Sequence, residues 1–111
     1  MKSVKEIVFL DGDEIKTEFD FHKKIGNIFK GEDFINGYGY NLDALWDIAT
    51  SGAGLNLELH WQGAEESRRN LGDEYFYKII NVLERIEDYQ KKQCITYEHH
   101  KNNIPFKFYL E

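Results

Sequence analysis

The sequence predicts a small α/β domain built on a mainly parallel sheet, and three observations carry that expectation. Val4 to Leu10 is β-branched and apolar, Leu55 to Trp61 alternates apolar and polar residues with period two, and helical patterns lie between and after these segments. Strands joined through helices pair in parallel, whereas a tight turn returns the chain antiparallel. A chain of 111 residues fits one domain and can bury about two thirds of its unfolded surface. Its 15% aromatic content is that of a packed core rather than a disordered segment.

Taken in order, the first strand exits at Asp11-Gly12, a turn pair. Thr17-Glu18-Phe19-Asp20 has the form of a capping box, with Asp20 where Glu is usual. Phe21, Ile25, Ile28 and Phe29 then fall on one helical face, and Gly31 is placed to stop the helix. Glu32 to Tyr40 reads as a loop. A helix capped by Asn41 runs to about Thr50, where Ser51-Gly52-Ala53-Gly54 ends it. After the Leu55–Trp61 strand comes a short polar helix, Ala64 to Leu71, closed by Gly72. Asp73 then caps a long helix ending near Lys92, with Phe76, Ile79, Ile80, Leu83 and Ile86 as its apolar stripe. Cys94–Tyr97 and Phe106–Leu110 are both strand candidates, and they could also form a hairpin.

The Asn41 helix holds the most distinctive pattern. Leu42, Leu45, Trp46 and Ala49 share one face, while Asp43 and Asp47 lie one turn apart on another, with Trp46 at the border. Asp43, in the first turn, gains about 0.3–1 kcal/mol from the helix dipole. Asp47 lies past that turn and is repelled by Asp43 at i+4. Stability gives no motive for the pair, whereas a partner with a cationic pocket does.

Charge points the same way. The net charge is −6, yet residues 31–67 contain no Lys or Arg and seven acidic residues: Glu32, Asp33, Asp43, Asp47, Glu58, Glu65 and Glu66. That window carries −7 and the remainder +1. Such a field repels nucleic acid and favours a basic partner or a cation, although an acidic face also serves solubility alone. Tyr38, Tyr40 and Trp46 lie in this window, so base stacking there would lack phosphate-binding support.

Other chemistries find little support. No apolar run is long enough for a membrane span or a signal peptide, and the compartment expected is the cytoplasm. One cysteine, Cys94, allows no internal disulfide and reads as a small buried residue at the head of a strand. His22 is expected to border the core. His22, His60, His99 and His100 lack zinc-site spacing, so no metal or other cofactor is expected. Gly37-Tyr38-Gly39 is too short for a phosphate loop and leads into an acidic helix. Asp43 and Asp47 on one exposed helix enclose no substrate, as paired catalytic carboxylates must.

The run Tyr38-Gly39-Tyr40-Asn41-Leu42-Asp43-Ala44-Leu45-Trp46-Asp47 resembles the Tyr-Gly-x-Asn-Leu-Asp-Ala-Leu-Trp-Asp signature of the barstar family, intracellular inhibitors of barnase-type ribonucleases. Leu10-Asp11-Gly12 with Ile15, Phe21-His22, Leu57–Trp61 and the Ile79–Ile86 stripe extend the likeness over about residues 4–92. The resemblance implies a three-stranded, mainly parallel sheet flanked by about four helices, with a C-terminal extension that adds a strand or hairpin. It also implies a non-catalytic inhibitor or immunity protein that plugs the active site of a basic ribonuclease or nuclease toxin, one to one, and is monomeric when free. On that likeness Asp47 takes the place of an RNA phosphate, Asp43 meets a neighbouring basic group, and Trp46 and Asn41 shape the presenting helix. Tyr38, Tyr40 and Glu84 complete the expected partner-binding set.

Departures mark a different target. Aromatic positions of the family's pattern fall at Gly37 and near Gly52, and a glutamate of the last helix falls at Glu84 or Arg85 depending on register. The tail beyond residue 93 is longer and adds Lys101, Lys107 and several aromatics. Two other readings stand beside the inhibitor: an enzyme or ligand-binding domain with His60, Trp61 or the tail lining a pocket, and a regulatory module for a basic partner that is not a nuclease.

Overall fold

In a computed structural model, which describes residues 4–29, 38–98 and 102–111 apart from the side chains of 52 and 53, three strands form one parallel sheet. Strand β1 (Glu6–Asp11) pairs with the central β2 (Leu57–Gln62), and β2 pairs with β3 (Lys107–Leu110). Register matches Val8 to Leu59 and Leu59 to Phe108, so these side chains share the inner face. Helices α1 (Glu18–Phe29), α2 (Leu42–Ile48), α3 (Ala64–Leu71) and α4 (Asp73–Thr96) supply the rest of the core. Phe21 and Ile25 from α1, Leu45 from α2 and Ile79, Leu83 and Ile86 from α4 are wholly buried with Leu59 and Trp61. The fold is the expected α/β layer, and its sheet is parallel throughout.

Local chemistry explains most boundaries. The capping box at α1 forms: the Asp20 N–H donates to Thr17 Oγ1 at 3.2 Å and the Thr17 N–H donates to the Asp20 carboxylate at 3.1 Å. The Lys16 and Thr17 N–H groups hold the Asp20 carboxyl below its ordinary range. Gly72, at φ +86°, lets α3 turn directly into α4. Its N–H closes α3 on the Arg68 carbonyl at 2.9 Å, and its carbonyl accepts from the Phe76 N–H at 3.0 Å. Contrary to the expectation from sequence, Asp73 is therefore already helical and does not cap α4 through its side chain; it pairs instead with Arg68.

The tail departs most from expectation. Cys94–Tyr97 forms no strand: α4 continues through Thr96, four residues beyond Lys92, since neither Gly nor Pro interrupts residues 73–96. Cys94 is accordingly half-buried on a helix, and burial raises its thiol pKa. The third strand is Lys107–Leu110, which settles the choice between the two candidates. Asn56, at φ +63°, seats the returning chain by donating its N–H to the Ile104 carbonyl and accepting from the Ile104 N–H, both at 2.6 Å. Buried Gln90 then links α4 to the Phe106 N–H at 2.9 Å and to the Ala49 carbonyl at 2.6 Å. Gly31, the loop from Glu32 to Gly37, the contacts of Gly52, and His99, His100 and Lys101 lie outside the described residues.

Candidate partner-binding site

Helix α2 is short, so its ends decide whether it forms. Asn41 Oδ1 accepts the Ala44 N–H at 2.8 Å and Asn41 Nδ2 donates to the Gly39 carbonyl at 3.2 Å. Leu45 and Ile48 anchor the inner side in the core, while a π-helical turn, Ala49–Ala53, carries the chain away. Asp43 and Asp47 are left exposed, and neither forms an ion pair among the described residues. Alignment on a single anchored helix thus places both carboxylates in water at fixed separation.

The approach to α2 is pinned from below. His22, 1% exposed, lies between two phenols: Nδ1 is 2.6 Å from Tyr38 Oη and Nε2 is 2.7 Å from Tyr75 Oη. A neutral imidazole serves such a pair by donating from one nitrogen and accepting at the other. Burial holds the His22 pKa down, to about 4, and raises that of the Tyr38 hydroxyl. Gly26 permits this arrangement, because a Cβ there would sit 3.1 Å from the Tyr38 ring. Tyr38 is therefore a half-buried tie between α1, α4 and the start of α2. Tyr40, at φ +55° and 43% exposed, packs its ring at a tilt against Phe19 and Tyr38, with centroids 5.2 and 5.4 Å away.

Helix α4 forms the other wall. Trp46 is half-buried, with its ring edge-on to Tyr89 at 5.4 Å and the Arg85 guanidinium 4.8 Å from its centroid. Trp46, Glu84, Arg85, Asp88 and Tyr89 line an open groove of about 380 Å³. A second hollow, about 450 Å³, joins Asp43 to Glu74, Tyr77, Lys78 and Asn81. Glu84 and Arg85 thus both face the Trp46 groove. Asp88 and Tyr89 escaped the sequence reading, and Arg85 entered it only as the other register for Glu84. Their spacing from Asn81 at i+4, i+7 and i+8 marks one polar side of α4, but only the contact with Trp46 distinguishes that side.

Two expected pocket residues are placed elsewhere. Trp61 is fully buried, and its indole N–H donates to Ser67 Oγ at 3.0 Å, which in turn donates to the Gly12 carbonyl at 2.9 Å. It therefore lines no ligand pocket. His60 lies on the outer face of the sheet, its two nitrogens each 2.7 Å from a carboxylate, Glu111 and Glu58, which raise its pKa in that order of effect. No group of three metal-ligating side chains occurs among the described residues, and no helix among them is long and apolar enough to cross a membrane.

No curated protein matches the chain. Residues 5–111 match the family model described as Barstar (barnase inhibitor). That match runs beyond residue 92, where the likeness was expected to end, and takes in β3. From its first strand to its last, then, the chain belongs to the barstar family.

Proposed function

We propose that this chain binds a basic ribonuclease or nuclease toxin one to one and occludes its active site, with α2 standing in for RNA phosphates. The observation that carries the proposal is the pair Asp43 and Asp47: both exposed, both without a cation, on a helix whose cap and core contacts fix their spacing. A ribonuclease cleft must be cationic to hold RNA, so it offers these carboxylates the charge they lack. Family membership supports inhibition rather than catalysis. Glu84 and Trp46, on the adjoining groove, extend the contact area, and Asn41, Tyr38 and Tyr40 support the presenting helix from behind.

The test is a titration of the purified chain into barnase and a panel of other small basic ribonucleases, with a fluorogenic RNA as substrate. Activity of at least one enzyme is expected to fall linearly to a residual level at one equivalent. Undiminished cleavage by every enzyme of the panel at a hundredfold excess of the chain counts against nuclease inhibition and favours a basic partner of another kind.

A further inference from the structure

Three cations line the two hollows beside α2: Lys78, Arg85 and Lys92. Two of them are engaged. Lys78 pairs with Glu74 at 3.5 Å and Lys92 with Asp88 at 3.1 Å, each one helical turn away. Arg85 is exposed and has no carboxylate partner among the described residues, although Glu84 and Asp88 line the same groove. Its guanidinium lies instead over the Trp46 ring, 4.8 Å from the centroid. Cation–π attraction of that kind draws a guanidinium to the ring while leaving its N–H donors unused. A cation with free donors is thereby fixed on Trp46, the residue next to Asp47.

We infer that Arg85 is a specificity-determining residue: it admits a partner that brings a carboxylate to the Trp46 groove, and rejects one whose cleft is cationic throughout. This rests on the proposed function and narrows it. A partner cation placed against Arg85 is repelled as the groove loses water, and the guanidinium donors stay unsatisfied. A carboxylate there takes the planar fork in two charge-assisted hydrogen bonds. The target's surface therefore alternates in sign, with positive groups opposite Asp43 and Asp47 and a negative one opposite Arg85.

Barnase is the probe, since its cleft binds RNA phosphates. Its affinity is measured for the wild-type chain and for Arg85→Met, Arg85→Glu and Asp47→Ala, after thermal unfolding has shown each variant folded. Arg85→Met keeps the side chain packed on Trp46 while removing the charge. Arg85→Met is expected to tighten binding at least tenfold, Arg85→Glu further, and Asp47→Ala to weaken it. In a scan of single Lys→Glu and Arg→Glu substitutions across the barnase cleft, at least one should bind the wild-type chain more tightly than barnase does, with that gain lost in Arg85→Met. Unchanged or weaker binding by both Arg85 variants, alongside a loss for Asp47→Ala, overturns the role of Arg85 and leaves the inhibitor reading intact. Absence of binding at 100 µM for every form, Arg85→Glu included, also overturns the role of Arg85, since removing or reversing its charge then admits no cationic cleft, whereas the inhibitor reading falls only if the whole ribonuclease panel is untouched.

Discussion

At position 22 a histidine is held out of water by two tyrosines, and at position 60 another is held between two carboxylates. Their effects on stability have opposite signs. The folded pKa of His22 is about 4, below the ordinary 6.5, so below pH 6.5 the unfolded chain takes up a proton that the folded chain refuses. Stability from His22 is complete above pH 6.5 and is lost as pH falls toward 4, with a slope of at most about 1.4 kcal/mol per pH unit. The folded pKa of His60 is raised, so its contribution is complete below pH 6.5 and is lost as pH climbs through that raised value. The unfolding midpoint is therefore expected to fall on both sides of about pH 6.5. Thermal melts from pH 4 to 8 check this: His22→Gln should flatten the acid side and His60→Gln the alkaline side. A profile unchanged by either substitution would show that neither ring titrates as described.

Helix α2 depends on its cap because so short an element has few hydrogen bonds of its own. Asn41→Ala removes the acceptor of the Ala44 N–H, for an expected loss of about 1 kcal/mol and a drop of several degrees in Tm. Inhibition should weaken in the same variant, since the spacing of Asp43 and Asp47 relies on that first turn. Differential scanning calorimetry and an inhibition titration on one preparation check both outcomes. Elements of this kind were legible in the sequence. Asn41, the capping box at Thr17 and Asp20, and the alternation in β2 are all local signals, and each reappears in the fold. Other features were not local. Cys94–Tyr97 has the composition of a strand, yet nothing there breaks α4, and Gln90 fixes β3 by binding the Phe106 N–H across sixteen residues. Tyr38 was legible as part of a signature but not as a half-buried tie, because its partner His22 is also sixteen residues away. Arg85 over Trp46 joins two helices, and no spacing within either helix reports it.

Over the whole molecule, charge and packing separate by face. Helices cover the inner side of the sheet, where Leu59 and Trp61 are fully buried. The outer side carries Phe9 and Tyr109 on either side of His60, with Glu58 paired to Lys5 and to His60. Glu65 and Glu66 on α3 are likewise committed, to Arg68 and Arg69. Asp43 and Asp47 have no such partner among the described residues, so both carboxylates of α2 keep their charge uncompensated. On the proposed function, a basic target is expected to be steered toward that end of the molecule, an effect for which barnase and barstar are themselves the reference case.

The central claim is that α2 is a specific contact and not merely part of a diffuse acidic field. Affinity for an inhibited ribonuclease, measured for the wild-type chain and for Asp47→Ala, Glu65→Ala and Glu66→Ala at two salt concentrations, tests it most directly. Asp47→Ala is expected to lose at least a hundredfold, about 2.7 kcal/mol, with Tm nearly unchanged, while the two glutamate variants stay within a factor of about three. Higher salt should slow association for all four chains. Equal losses from Asp47→Ala, Glu65→Ala and Glu66→Ala would contradict the claim.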